Sequence, residues 1–377
     1  MLSQSFRAHT MLVQLLILAI FVDIGGKFGV KYFVFSVAIF ASILTLVKGL
    51  QYKNILIDIG FALLIILYAV LGLVLGAKIS SVYSQVGFIL YFLLLPVLIK
   101  SDIKAVVLFF ERMSFYAAII VILVFIGLYL FPELSQAFNK FGIKYGLGYL
   151  GLKADLNNIP NVYFRWTAWL VLGFAIALYS GHRFKSLIIF SASILSLSTA
   201  VIAVTFFIYF LYLKSLGKVF SYRSIGVILI ALVAIYFYPL LFESLLSKFS
   251  TESFSTSVKV GHIVSAVKEW LSSASSFLFG SGVGMEFFTI GTYSKTVAIE
   301  PSYANLLRQF GIIGAFVFLL YILYTLFSIW TVDDLSRGFR AGIVGVIFIG
   351  ATNPIFFSVL LFFPLLIFKS YLIQIKR

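Results

Sequence analysis

Long apolar stretches recur along the whole chain, and the short polar segments between them predict a series of membrane-spanning helices. Most stretches are about 17 to 25 residues long, the length that a helix needs to cross a hydrocarbon core. The expected fold is an all-α polytopic membrane protein, with residues 1–377 forming one integral membrane domain. Twelve spans are predicted, at about 10–24, 28–47, 55–77, 83–99, 105–131, 161–180, 185–198, 200–214, 224–243, 303–330, 338–352 and 355–373.

Two pairs of these spans depend on a break inside one apolar run. We place the first break near "SLSTA", residues 196–200, and the second at Asn353-Pro354. Each resulting piece is short for a full span, so a tilted or partly re-entrant pair is one alternative. An unbroken helix of about 30 residues is the other, and it would change the number of spans.

Composition agrees with this class and excludes a soluble globular protein. The chain is 62% hydrophobic and 11% charged, with a mean hydropathy of +1.12, far from the usual values for soluble domains. Its net charge of +15 indicates basic loops against anionic headgroups rather than a nucleic-acid partner. The absence of cysteine excludes disulfides, iron–sulfur clusters and thiol chemistry. The N-terminus has no small-residue cleavage site before Asp23, so we interpret it as a retained first helix rather than a signal peptide.

The basic residues of the short loops predict the orientation of the spans, since cytoplasmic loops carry an excess of Lys and Arg. With both termini in the cytoplasm, the two long loops, about 132–160 and 244–302, lie outside. Short outer loops then hold only Lys27, Lys31 and Lys78. Sixteen basic residues lie in cytoplasmic segments: Arg7, Lys48, Lys53, Lys100, Lys104, Arg112, Arg183, Lys185, Lys214, Lys218, Arg223, Arg337, Arg340, Lys369, Lys376 and Arg377.

Acidic residues are almost absent from the middle of the spans. Asp58 and Glu111 fall within about two turns of the predicted cytoplasmic ends, where side chains can snorkel to water. A proton- or sodium-coupled transporter usually needs an acid or a broken helix near the midplane. The chemistry is therefore expected at the outer face.

The large outer loop contains one amphipathic segment, "STSVKVGHIVSAVKEWL", residues 255–271. On a helical wheel the polar face groups Lys259, His262, Ala266 and Glu269. The opposite apolar face is expected to pack against the protein, which would leave the polar face presented. An interfacial helix lying on the membrane is the alternative interpretation. Its apolar face consists of Val260, Ile263, Val264, Val267 and Leu271.

The glycines of "LFGSGVGMEFF", residues 278–288, predict a tight turn back to the membrane. No Lys-Ser/Thr follows them and no strand precedes them, so a nucleotide-binding loop is not indicated. Glu300-Pro301 reads as a helix start, where a carboxylate is favoured. Capping does not explain Arg308, whose guanidinium two turns further on needs an anionic partner from the protein or from a lipid.

A second arginine is predicted at the mouth of the sixth span. Arg165 lies between Tyr163 and Trp166, an arrangement that is also typical of an interfacial aromatic belt with a snorkelling side chain. Together with Lys259, His262 and Arg308 it nevertheless collects cationic or potentially cationic groups at one membrane face. Arg binds phosphate bidentately, and Lys binds it as a point charge.

The stretch "EPSYANLLRQFGIIG", residues 300–314, resembles the signature of the O-antigen polymerase and ligase superfamily, the Wzy-type polymerases and WaaL-type ligases. Glu300-Pro301, nine residues and Gly311-Ile-Ile-Gly314 keep the ligase spacing, with Glu in place of the ligase His. "KVGHIVSAVKEWLSSASSFLFGSGVG", residues 259–284, is similar to the segment upstream in polymerases, where many relatives carry Arg at the position of His262. The predicted twelve helices and two outer loops are also similar to the family's layout.

The resemblance implies a glycosyltransferase of the bacterial inner membrane that polymerises O-antigen or capsule repeat units. Its substrate would be an oligosaccharide linked to undecaprenyl diphosphate, and membrane lipids and a chain-length regulator are the candidate partners. Glu300 would be the catalytic base and His262 a diphosphate donor or second proton-transfer group, with Tyr303 supporting them. Arg165, Lys259 and Arg308 would bind the diphosphate. No cofactor, metal or nucleic acid is implied; an O-antigen ligase and a lipid-linked polysaccharide flippase remain as alternatives.

Overall fold

The computed structural model describes residues 4–47, 55–153, 159–216, 254–328 and 333–375, and this part of the chain is that of a mostly helical membrane protein. The predicted span at 224–243 lies outside the described residues. We number the helices through the described ranges. They are α1 (Gln4–Val22), α2 (Val30–Val47), α3 (Ile55–Val74), α4 (Ile79–Val86), α5 (Leu95–Ile99), α6 (Ile103–Leu130), α7 (Ser135–Lys144), α8 (Ala168–Tyr179), α9 (Arg183–Leu195), α10 (Thr199–Ser215), α11 (Phe254–Trp270), α12 (Ala274–Phe279), α13 (Ser302–Phe327), α14 (Asp334–Ile349) and α15 (Val359–Ile375).

Five apolar segments of the described chain are long enough to cross a membrane, judged by length and composition. They are Val30–Val47, Ile57–Val74, Ile79–Ile99, Ile103–Leu130 and Ser302–Phe327. The third of these is not one regular helix, because a 3₁₀ segment, Gly87–Leu94, separates α4 from α5. Phe6–Val22, Ala168–Tyr179, Thr199–Ser215 and Val359–Ile375 are apolar but shorter.

Both predicted breaks are confirmed. Helix α9 ends at Leu195 and α10 begins at Thr199, with Leu197 between them at a φ of 50°. The second apolar run divides into α14 and α15, since the chain from Gly350 to Ser358 is not helical. With 13 residues, α9 extends only about 20 Å, less than the thickness of a hydrocarbon core.

The start of the predicted span at 161–180 is wrong. Residues Ile159–Phe164 form strand β2, which pairs in antiparallel register with strand β1, Gly148–Lys153, and α8 begins only at Ala168. The segments "GYLGLK" and "IPNVYF" are short and contain glycine, proline and β-branched residues, which favour a hairpin over the first turns of a helix. A second hairpin joins β3, Phe287–Thr289, to β4, Ser294–Thr296.

Helix α8 occupies the centre of the bundle, and every residue from Ala168 to Ala177 is buried. Glycines of α14 allow its close approach to α8: a Cβ on Gly342 would lie 2.8 Å from the Cα of Leu172, and one on Gly338 would lie 2.8 Å from the Ala175 oxygen. Small residues spaced in this way favour close helix contacts where no water is present to drive packing. By contrast, α2 and α3 carry large exposed apolar side chains such as Phe33 and Val74, exposed by 71% and 77%, as lipid-facing helices do.

Contacts between helix ends define two ends of the bundle. At the loop end, Ser302 Oγ donates to the Asn353 oxygen (2.5 Å), and the Tyr163 hydroxyl donates to Asn353 Oδ1 (3.5 Å). At the far end, Gln374 Nε2 donates to the Ser101 oxygen (2.6 Å). Helices α6, α13 and α15 each run from one end to the other, so both hairpins and α11 to α13 meet at the loop end.

The two acidic residues that were expected to snorkel are instead buried near the far end. The Asp58 side chain is 4% exposed and forms an ion pair with Lys369, and the Tyr321 hydroxyl donates to the same carboxylate at 2.7 Å. Glu111 is 1% exposed and contacts His182 (2.8 Å) and Lys185 (3.0 Å). A buried charge is tolerated when a partner from another helix neutralises it, and these partners are too far away along the chain for a local pattern to indicate them.

Candidate functional site

The predicted amphipathic helix is present as α11, but it packs through the opposite face to the one expected. Ala266 is fully buried and His262 is 7% exposed, whereas Val260 and Val264 are 47% and 50% exposed. Small residues explain the close contact, because Gly261 lies against Gly291, where a Cβ would come within 2.6 Å of the Gly291 Cα. The expectation that the apolar face packs against the protein is therefore wrong.

A small apolar cluster brings α11 to the start of α13. Ala266, Phe287 and Ile299 are buried together, with Ala304 packed against them. Because Lys259, His262 and Ala266 share a face of α11, this packing also turns Lys259 and His262 towards the chain just before α13.

Glu300 and Lys259 form an ion pair at this point, with 3.4 Å between Lys259 Nζ and Glu300 Oε2. The Glu300 side chain is 54% exposed and that of Lys259 is 28% exposed. Helix α13 begins at Ser302, whose backbone N–H donates to the Gly350 oxygen (2.9 Å). The carboxylate is therefore both charge-paired and open to solvent or a ligand at the loop end.

His262 is held beside this pair as a neutral group. Its Nδ1 is 2.8 Å from the Thr289 hydroxyl oxygen on β3. Burial lowers the pKa of His262 below its usual value, and the negative charge of Glu300 opposes that shift in part. A neutral imidazole can accept a proton through the nitrogen that does not donate.

Tyr163 and Arg165, from the first hairpin, share the electrostatic environment of Glu300. Burial, together with the negative charge of Glu300, raises the pKa of Tyr163 to about 12, and the positive charge of Arg165 opposes that shift in part. The side chain of Arg165 is exposed, and its backbone N–H donates to the Leu147 oxygen (2.8 Å). The structure thus brings four of the predicted site residues, Glu300, Lys259, His262 and Arg165, to the loop end, with Arg165 exposed at the margin.

Arg308 has the anionic partner that its position in the sequence required, but this partner comes from the protein, and the guanidinium is fully buried. Its guanidinium lies 3.5 Å from Glu269 Oε1 and 4.1 Å from the centre of the Phe287 ring. It also donates to the backbone oxygens of Met285 (3.2 Å) and Val297 (2.6 Å). These two oxygens flank the β3–β4 hairpin, so Arg308 fastens the base of that hairpin to α13 rather than facing a bound phosphate.

Below Arg308 lies a layer of buried amides that the sequence reasoning missed. Gln309 Nε2 donates to Gln85 Oε1 (3.2 Å) and to Asn305 Oδ1 (3.0 Å). The spacing of the polar residues Asn305, Arg308 and Gln309 could have indicated this layer, because it places all three side chains on one side of a helix. Asn305 Oδ1 also accepts from Arg308 (3.2 Å), so this layer stabilises the position of the guanidinium.

Helix α13 is broken at Gly311, which has a φ of 62°. Residues with side chains rarely adopt this backbone conformation, and a Cβ on Gly311 would lie 2.4 Å from the Leu278 oxygen. The break frees the carbonyl of Arg308, which accepts from the Ser281 backbone N–H (2.8 Å) and hydroxyl (3.0 Å). The predicted turn at 278–288 is thus packed against the helix break.

Tyr303, the predicted supporting residue, anchors the first turn of α13. Its hydroxyl donates to the Ile347 oxygen (3.2 Å), and its ring meets Phe356 edge-on at 4.6 Å. Ser302 adds to this anchor by accepting from the backbone N–H of Ile355 (2.8 Å). The helix start that carries Glu300 is therefore fixed to the α14–α15 connection.

Comparison of the chain with protein-family models, with curated proteins and with solved structures gave no match. Within the ranges that the structure describes, no three His, Asp or Glu side chains come together as ligands of a metal ion. An exposed carboxylate, a lysine, a neutral histidine and an arginine at one margin can accept a proton and bind an anion in the same place.

Proposed function

We propose that this chain is a glycosyltransferase that polymerises lipid-linked repeat units of O-antigen or capsule. The observation that carries the proposal is the open Glu300–Lys259 pair, 3.4 Å apart, with His262 and Arg165 around it. The resemblance of residues 259–314 to the polymerase signature supports the same assignment. The twelve-span topology, the cytoplasmic termini, the outer position of the loop end and the bacterial inner membrane are parts of this proposal.

In the proposed reaction, Glu300 removes the proton from a sugar hydroxyl of the acceptor repeat unit. The hydroxyl oxygen forms a bond to the anomeric carbon of the donor glycan, and the bond between that carbon and the diphosphate oxygen breaks. The electron pair leaves with undecaprenyl diphosphate, so the donor is already activated and no nucleotide is needed. General bases of this kind act through direct hydrogen-bond contact with the proton that they remove.

Lys259 has two roles in this scheme. In the free protein it neutralises Glu300, and when a diphosphate arrives its ammonium group turns to the more highly charged anion. The exchange leaves Glu300 free to accept the proton at the moment when the leaving group is bound. Cations that hold a departing diphosphate stabilise the charge that develops in the transition state.

Arg165 and Arg308 are assigned different tasks. Arg165, exposed at the margin of the site, remains a candidate diphosphate ligand. Arg308 is a positioning residue, since its guanidinium holds the base of the β3–β4 hairpin. Through that hairpin it supports Thr289, the partner of His262.

The test is Glu300→Gln, compared with wild type and with Glu286→Gln at matched protein levels. Glu286 is a matched control, because it lies on the same loop segment and also pairs with a lysine, Lys78, at 2.9 Å. Loss of a general base lowers the rate by about 10² to 10⁴. We expect single repeat units from Glu300→Gln in a polymerase-null strain and a full glycan ladder from Glu286→Gln.

A wild-type ladder from Glu300→Gln would refute the role of Glu300 as base. The same strain separates the two alternatives. Long glycans that stay on the lipid carrier and never reach the lipid A core would indicate a ligase defect. Repeat units that remain on the cytoplasmic side, inaccessible to an external lectin in spheroplasts, would indicate a flippase.

A further inference from the structure

An uncharged stretch in the middle of the large loop has no place in the proposed reaction. Residues 270–285, "WLSSASSFLFGSGVGM", contain no Asp, Glu, Lys or Arg. They form the end of α11, a turn, helix α12 and the glycine turn after it. A loop that faced only water would not be expected to carry so long an uncharged and partly aromatic segment.

The turn from α11 into α12 forms an elbow whose outer surface combines exposed serines with large exposed apolar side chains. The Trp270 and Phe277 rings stack at 5.1 Å, and Trp270 Nε1 donates to the Phe277 oxygen (3.0 Å). Ser273 caps α12 by accepting from the Ser276 N–H. On the outside, Leu271 and Phe279 are 56% and 50% exposed.

The apolar face of α11 continues this surface. Val260, Ile263 and Val264 point away from the protein, with exposures of 47%, 39% and 50%. The helix is thus packed by its polar face and exposed by its apolar face. In contact with water such an arrangement is unfavourable by about 25 cal/mol for each Å² of apolar surface, whereas contact with lipid removes that cost.

The elbow lies at the level where the apolar surface of α13 begins. The residues between Ser302 and Phe310 are buried or half-buried, whereas Ile312, Ile313 and Phe316 are 40%, 44% and 61% exposed. Leu278 of the elbow packs against Gly311, the residue just before this apolar stripe. The elbow therefore adjoins the first turn of α13 that has a lipid-like surface.

On its other side the elbow region meets the end of α3 at the same level. Val283 is fully buried, and a Cβ on Gly72 would lie 2.0 Å from its backbone oxygen. Gly282 approaches Leu75, and Val74 and Leu75 are 77% and 50% exposed. Exposed apolar side chains of α3 and of α13 thus lie on the two sides of the elbow region.

We propose that the elbow, residues 270–279, together with the exposed face of α11, inserts into the lipid bilayer at the boundary between headgroups and acyl chains. The occupant of this surface is lipid, because the surface lies between two apolar bands that belong to helices long and apolar enough to span a membrane. Trp270 has the position typical of interfacial tryptophans, and the exposed Lys268 lies two residues before the elbow, at the height of anionic headgroups. The proposal concerns membrane contact and does not depend on the reaction that the protein catalyses.

The test uses the cysteine-free chain directly. Single cysteines replace Phe279, Phe316 and Tyr293 in separate variants, and each is labelled with a nitroxide after reconstitution into vesicles of phosphatidylethanolamine and phosphatidylglycerol. Collision with oxygen, which concentrates in acyl chains, is compared with collision with a water-soluble nickel chelate. Phe316, in the apolar stripe of α13, is the lipid reference, and Tyr293, 80% exposed in the turn of the second hairpin, is the water reference.

We expect the label at Phe279→Cys to collide several-fold more with oxygen than with the nickel chelate, as at Phe316→Cys, and the reverse at Tyr293→Cys. A Phe279→Cys label with the water-like ratio of Tyr293→Cys would overturn the proposal. Low collision with both reagents would also overturn it, since the surface would then be covered by protein. Leu278→Cys, 38% exposed, repeats the measurement if Phe279→Cys does not fold.

Discussion

The two ends of the bundle both hold pairs of a carboxylate and a lysine, but they hold them in opposite surroundings. Near the far end, the side chains of Asp58 and Lys369 are 4% and 7% exposed. At the loop end, those of Glu300 and Lys259 are 54% and 28% exposed. The first pair is closed among α3, α13 and α15, and the second is open.

The difference in burial decides what each pair can do. Removing one member of a buried pair leaves an uncompensated buried charge, so the loss of either member of the closed pair destabilises the fold. An exposed pair contributes little to stability, so its members can exchange partners when a ligand with a stronger charge arrives. The open pair, Glu300 and Lys259, is therefore expected to take part in chemistry, and the closed pair, Asp58 and Lys369, to stabilise the fold.

The largest stability effect is expected from breaking the closed pair. Asp58→Asn or Lys369→Met alone should lower the free energy of unfolding by about 3 to 5 kcal/mol, because each leaves a buried charge without its partner. The double variant should recover much of that loss. The measurement is an SDS unfolding titration of the purified protein, with Asp334→Asn as control.

Asp334 is a suitable control because it pairs with Arg337 on an exposed surface, with both side chains more than half exposed. If the double variant were as unstable as the sum of the two single variants, the two residues would act independently. The buried pair would then contribute no more coupling energy than an exposed pair does.

A smaller effect is expected from Arg308→Lys. A lysine has one ammonium group and cannot reach both the Met285 and the Val297 oxygens that the guanidinium fork binds. The loss of one or two buried hydrogen bonds should cost about 1 to 3 kcal/mol. Arg337→Lys, at an exposed position, should be close to wild type in the same SDS titration.

The result also separates the two roles considered for Arg308. A positioning residue loses stability and activity together when its hydrogen bonds are removed. Normal stability with strongly reduced polymer length would instead support direct contact with phosphate, and would mean that Arg308 becomes accessible when the substrate binds.

The smallest effect is expected from the pH dependence of His262. Its folded-state pKa is lowered by burial, so between that pKa and the unfolded value of about 6.5 the unfolded chain binds more protons. Stability should therefore fall as the pH drops through this window and become independent of His262 below it. The slope from one group is at most about 1.4 kcal/mol per pH unit.

His262→Gln provides the comparison, since an amide can still bond to Thr289 but does not titrate. Stability curves of wild type and His262→Gln, measured from pH 7.5 down to pH 5, should diverge towards acid pH. Parallel curves would show that His262 keeps an ordinary pKa and is more open to water than its 7% exposure indicates.

Much of the architecture was predictable from local sequence. The breaks at 196–198 and around Asn353 follow from small polar residues and proline inside apolar runs. The helix over 254–270 follows from the helical period of its apolar residues, which is the same whether the apolar face contacts lipid or protein. The strand at Ile159–Phe164 was missed because an apolar run of that length has no period strong enough to separate strand from helix.

The candidate site was predictable in its composition but not in its arrangement. Glu300, Lys259 and His262 were identified by residue type and motif, and the structure places them near one another. Arg308 was identified too, yet its anionic partner is Glu269, 39 residues earlier in the sequence. The amide of Gln85, which completes the layer beneath Arg308, is more than 200 residues from Gln309, so no local pattern could have indicated it.

The sequence by itself determined that this is a helical membrane protein, that the apolar runs at 185–214 and 338–373 are each divided, and that α11 has one polar and one apolar face. Only the tertiary structure decided which of those faces packs and which charges are closed. The physical reason is that an apolar face is stabilised equally by protein and by lipid. Periodicity in the sequence therefore shows that a helix has two different faces, but not which of them contacts the protein. The partners of Asp58, Arg308 and Ala266 come from distant segments, and they decide the direction.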